Sequence, residues 1–125
     1  MRDRNIDFLE VYKAVDIFIK DVYGTGDGVT EYIRRMEREQ YRGPKYIKYW
    51  DNDLRMLKHV RWIRNKLVHE VDYDSGICGT RDCDFIELFR QRLYDETDPL
   101  ALLAKLEKLV RQKRAEAAAR NNGHR

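Results

Sequence analysis

An all-α helical bundle of four to five helices is the fold this sequence predicts, and three observations predict it. Apolar residues recur at spacings of three and four through several long segments. No segment sustains the apolar–polar alternation of a half-buried strand. The breaks between segments carry glycine, proline and helix-capping residues. At 125 residues the chain has the size of one domain, so positions 1–118 are assigned to a single bundle and 119–125 to a flexible basic tail. A composition that is 42% hydrophobic and 38% charged requires a sizeable core under a densely charged surface, which amphipathic helices provide.

The first helix is expected over Ile6 to Val22, where Phe8, Leu9, Tyr12, Val15, Ile17, Phe18, Ile19 and Val22 follow helical spacing. Gly24, Gly26 and Gly28 then break it, since three glycines in five positions cost any regular element backbone entropy. This glycine cluster follows a helix and lacks the Lys-Ser/Thr of a phosphate-binding P-loop, so it reads as a turn. A second helix begins with Thr30 as N-cap, runs through Tyr32, Ile33 and Met36, and stops at Gly43-Pro44. Its other face carries Arg34, Arg35, Arg38 and Arg42, a charged stripe of the kind that usually serves solubility.

Pro44 suits the first turn of a third helix, and one apolar stripe then runs from Tyr46, Ile47 and Trp50 through Leu54 and Leu57 to Leu67 and Val71. The aromatics Tyr41, Tyr46, Tyr49 and Trp50 at its start read as core anchors. Asp72 to Asp82 loses the apolar repeat and reads as a loop, and a fourth helix opens near Asp82 or Asp84. Thr97-Asp98-Pro99 restarts the pattern for a final helix carrying Leu100, Leu102, Leu103, Leu106, Leu109 and Val110.

Charge narrows the function classes only slightly. The formal net charge is +3, with basic and acidic residues interspersed, which is a weak pull toward nucleic acid. Only the stretch from Arg111 to Arg125 is one-sided, and it reads as a solvated tail. No apolar run approaches the roughly 20 residues that span a bilayer, and Met1-Arg2-Asp3-Arg4 leads into an amphipathic segment, so a cytoplasmic protein without a membrane partner is expected. Cys78 and Cys83, with no second pair, build neither a disulfide framework nor a four-cysteine zinc site and read as free thiols. Asp51, Asp53, Asp72 and Asp74 lack the histidine or third carboxylate of a metal site, and no metal or other cofactor is expected.

The chemistry-bearing motif is Arg64-Asn65-Lys66-Leu67-Val68-His69 at the end of the third helix. Five residues at about 100° each leave Arg64 and His69 about 140° from a common face, so they share a site only if the last turn loosens. The hexapeptide resembles the Arg-polar-x-x-x-His signature of the HEPN family, with Asn65 as the polar residue and Leu67-Val68 as aliphatics before the histidine. The resemblance implies an up-and-down bundle, a homodimer, and metal-independent endoribonuclease activity on RNA of a toxin or defence type. It also implies His69 as general acid or base, Arg64 as phosphate clamp and Asn65 as the orienting residue, consistent with the titration range of imidazole and the planar charge of guanidinium.

The toxin branch paired with nucleotidyltransferase antitoxins carries a tyrosine two residues after the histidine, where this chain has Val71. An antitoxin or another protein partner is therefore a looser implication than RNA. Two readings stand side by side: a ribonuclease, and a non-catalytic helical module that uses the scaffold for protein partners or self-association. In the second, Arg64 and His69 are simply cations placed near the negative end of a helix dipole.

Overall fold

The computed structural model describes residues 3–69 and 77–122, and every regular element among them is a helix. These are α1 (Arg4–Tyr23), α2 (Val29–Arg38), α3 (Gly43–Tyr46), α4 (Trp50–His69), α5 (Thr80–Asp95) and α6 (Pro99–Asn122). Helix α1 lies along α5 over its longest interface and also meets α2 and α4, while α2 packs on α4. Helix α6 closes the bundle against α2 and the single turn α3.

The core follows from the stripes. Phe8, Tyr12, Val15 and Ile19 of α1 meet Leu57, Val60, Ile63 and Leu67 of α4 and Ile86, Phe89 and Leu93 of α5 in one buried cluster. Tyr32, Ile33 and Met36 complete it from α2. Each fully buried aliphatic or aromatic side chain contributes about 1.5–3 kcal/mol of burial. Ile17, which the sequence placed in the α1 stripe, is exposed, because it sits about 200° around the helix from both Val15 and Ile19.

Helix ends show where local signals suffice. The Asp3 side chain caps α1 by accepting from the Asn5 amide at 2.9 Å. Gly24 ends α1 in the left-handed region at φ 62°, where its amide and that of Thr25 reach the Lys20 carbonyl. At the other junction, Asp98 precedes Pro99 and accepts from the Ala101 amide at 3.3 Å, the cap and first-turn proline the sequence predicts.

Several boundaries differ from expectation. Helix α2 starts at Val29 rather than after Thr30, because Asp16 of α1 accepts the Val29 amide at 2.8 Å and supplies the cap from another helix. Gly28 is needed there, since a Cβ on it would lie 2.3 Å from the Asp16 carboxylate. The helix also ends at Arg38, and residues 39–42 form turns before Gly43.

The long third helix is broken. After α3 the chain is extended at Ile47 and left-handed at Tyr49, with φ 67°, before α4 begins at Trp50. The break lets the buried Trp50 ring lie on Gly43, while its indole N–H donates to Gln40 at 3.0 Å. Helix α5 begins at Thr80, before Asp82, whose carboxylate accepts the Gly79 amide at 2.9 Å and so satisfies the helix start from inside the first turn. The part of the expected loop over 70–76 lies outside the described residues. At the C-terminus α6 is helical through Asn122, including the part of the assigned tail at 119–122.

Two buried polar ties fix how the helices sit. The Tyr32 hydroxyl donates to the Asp98 carboxylate and accepts from the Leu100 amide at 3.0 Å, joining α2 to the start of α6. Burial pushes the Asp98 carboxyl above its usual range, more than the hydrogen bonds from Tyr32 and Ala101 pull it down. With the folded value raised, the contribution of Asp98 to stability is complete in acid and is lost as pH rises through that value. Between α4 and α5, Arg92 pairs with buried Asp53 through two bonds, at 3.1 and 2.9 Å.

Candidate functional site

Arg64 lies half-buried on the wall of a groove between α1 and α4, about 500 Å³ in volume, together with Tyr12, Lys13, Asp16, Lys20 and Val68. Its guanidinium donates to the Asn65 side-chain carbonyl at 3.1 Å, and no carboxylate among the described residues lies within ion-pairing distance of it. Asp16 spends one oxygen on the Val29 amide and the other on Lys20 at 3.2 Å. Arg64 and Lys13 are thus the groove's cations that hold no acid among the described residues.

Tyr12 is the residue that the sequence did not flag. It read only as part of an apolar stripe, yet its ring packs in the core while the residue also lines the groove. Burial, with a further push from Asp16, raises the phenol to about 12, against the opposing pull of Arg64 and Arg61. The hydroxyl therefore remains a hydrogen-bond donor at neutral pH.

His69 is the last residue of α4 and is exposed. It does not line the Arg64 groove. The helix stays α-helical through His69, so the loosened last turn expected from the motif is absent and the offset of about 140° from Arg64 persists. The structure thus brings Arg64 to Asn65 and leaves His69 on another side of α4. That side has its own character. Asn65 stands one turn before His69, and Trp62 is 53% exposed with the His59 ring stacked 6.2 Å away and the Lys66 ammonium 5.6 Å from its centroid. Val71 lies outside the described residues.

The arginine stripe of α2 is neutralised. Arg35 and Arg38 both pair with Glu31, at 3.4 and 3.1 Å, Arg34 pairs with Asp27, and Arg42 pairs with Glu39 and with Glu107 of α6. Most of these pairs close within α2 or the turns beside it, and only Arg42, just past its end, reaches another helix. The aromatic cluster divides: Trp50 is buried as an anchor, but Tyr41, Tyr46 and Tyr49 are all exposed. All three stand outward, contrary to the core role expected for them.

Cys78 and Cys83 are both thiols, with sulfurs 3.4 Å apart. Among the described residues no three metal-ligating side chains gather in one place, and no helix is long and apolar enough to cross a membrane.

A family model described as a family of unknown function, DUF6548, matches residues 6–125, and the chain belongs to that family. No curated protein and no solved structure matches the chain.

Proposed function

We propose that this member of DUF6548 is a HEPN-like, metal-independent endoribonuclease of the toxin or defence type, acting as a homodimer on RNA through Arg64 and His69. One observation carries the reading: Arg64, without a described acidic partner and held by Asn65, lines a groove with Lys13 and Tyr12 of α1, and stands on the helix that ends in exposed His69. The groove offers charge and hydrogen-bond donors to a phosphodiester. His69 offers an imidazole, a side chain able to act as general acid or base.

In the reaction the ribose 2′-oxygen attacks the adjacent phosphorus while a base takes its proton. The P–O bond to the 5′-oxygen breaks, and that oxygen is protonated as it leaves, so the products are a 2′,3′-cyclic phosphate and a 5′-hydroxyl. Arg64 stabilises the charge that builds on the non-bridging oxygens. A regular α4 separates Arg64 and His69, so the reading assigns each site one Arg64 and the His69 of the partner subunit across a twofold axis.

The test is incubation of the purified chain with single-stranded RNA in excess EDTA. The expected result is cleavage with 2′,3′-cyclic phosphate ends; intact RNA, or cleavage that EDTA abolishes, contradicts the reading. A second reading, a non-catalytic interaction module, is favoured by the exposed Tyr46, Tyr49 and Leu109 around apolar grooves on α6. It predicts RNA left intact.

A further inference from the structure

The entrance to α5 holds chemistry that the RNA reading does not use. Cys78 is fully buried beside the helix start and Cys83 sits half-buried in the first turns of α5, with a sulfur–sulfur separation of 3.4 Å. Both are tied to the start of α1: the Arg4 guanidinium reaches the Cys78 carbonyl at 3.5 Å, and the Cys83 thiol reaches the Arg4 carbonyl at 3.8 Å. These are the two cysteines of the whole chain.

We propose that Cys78 and Cys83 form a peroxide-oxidisable dithiol, which closes to an intramolecular disulfide at the N-terminus of α5. The sulfurs need to approach from 3.4 Å to the bonded distance of about 2.05 Å, a shift of roughly 1.4 Å that side-chain rotation can share with the short non-helical segment at 77–79. Exposure sets the order of events. Cys83 is reachable and Cys78 is not, so the Cys83 thiolate attacks one oxygen of hydrogen peroxide. An S–O bond forms, the O–O bond breaks, and the departing hydroxide takes up a proton as water. The Cys78 sulfur then attacks the Cys83 sulfur: the S–S bond forms, the S–O bond breaks, and the Cys78 proton leaves with the hydroxide as a second water. Two thiols and one peroxide give one disulfide and two waters, with each sulfur oxidised by one electron and each oxygen reduced by one.

Burial, aided by the neighbouring Cys83 and Asp82, raises the Cys78 thiol to about 12. It therefore attacks only a partner sulfur already activated and adjacent, which disfavours exchange with outside thiols. The cross-link would pin the α5 entrance at its junction with α1, and it would do so irrespective of any RNA chemistry.

Mass spectrometry of the intact full-length chain before and after mild hydrogen peroxide tests this. Oxidation is expected to remove the mass of two hydrogens, and a dithiol reductant to restore it. Trypsin cuts after Lys66, Arg81 and Arg90, so the oxidised digest should join the peptide 67–81 to the peptide 82–90. In Cys78→Ser, peroxide should leave Cys83 as a sulfenic acid trapped by dimedone; in Cys83→Ser, the buried thiol should remain reduced. Wild-type protein that keeps two alkylatable thiols, accumulates a dimedone adduct on Cys83, or links two copies through a disulfide overturns the proposal. The wild-type digest decides it even if a variant fails to fold.

Discussion

His69→Ala is expected to lower the rate of RNA cleavage by about 100- to 10,000-fold, the usual worth of a positioned acid or base, while RNA affinity and helix content stay near wild type. The separation of rate from binding follows from where His69 stands. It is exposed at the end of α4, and the structure gives it no bond to another described residue, so its removal leaves no cavity. On the proposed ribonuclease reading, Arg64→Ala should instead weaken binding and rate together, because its charge would meet phosphate before and during reaction. Single-turnover rates beside fluorescence anisotropy with a non-cleavable, 2′-deoxy RNA check both. A His69→Ala protein as fast as wild type would remove the histidine from the chemistry.

Gly43→Ala is the substitution expected to damage the fold most for its size. A Cβ at this position would lie 2.3 Å from the Trp50 indole, itself only 1% exposed. Either the indole moves and loses its bond to Gln40, or α3 lifts away from α4. Overpacking of this kind costs about 3 kcal/mol, equivalent to a fall in Tm of about 10 °C in a domain this size. Alanine's better helix propensity returns under 1 kcal/mol of that in a single turn. Gly26→Ala is the control: nothing lies within 4 Å of its added carbon, so its stability should stay within about 0.5 kcal/mol of wild type. Urea unfolding followed by circular dichroism measures all three proteins, and equal midpoints would refute the close approach of Trp50 to Gly43.

These expectations show which features sequence can carry. Stripes such as Phe8, Tyr12, Val15 and Ile19 are local and periodic, and they marked α1 as a core helix. Asp98-Pro99 marked the start of α6 because cap and first turn are adjacent in the chain. Asp16 capping Val29 could not be read in this way, since the acceptor stands on another helix. The break before Trp50 was hidden for a related reason: Ile47 and Trp50 keep helical spacing while a tertiary approach to Gly43 decides the backbone. In the candidate site, the hexapeptide marked Arg64, Asn65 and His69, but Tyr12 and Lys13 come from a helix some fifty residues earlier and meet Arg64 alone of the three, in the groove where α1 packs on α4. The arginines of α2 carried a charge signal that Glu31, Glu39 and Glu107 cancel in space.

The central claim, a site shared between two chains because α4 holds Arg64 and His69 apart, is tested most directly by mixing two inactive variants. Arg64→Ala and His69→Ala proteins, each purified and then unfolded and refolded together at equal amounts, form mixed dimers in which one of the two sites keeps both residues. With random pairing, about half the dimers are mixed and half their sites intact, so cleavage in EDTA should return to about a quarter of the wild-type rate. A mixture no more active than either variant alone, beside an active wild type, would contradict the shared site; wild-type protein as inert as the variants would contradict the ribonuclease itself.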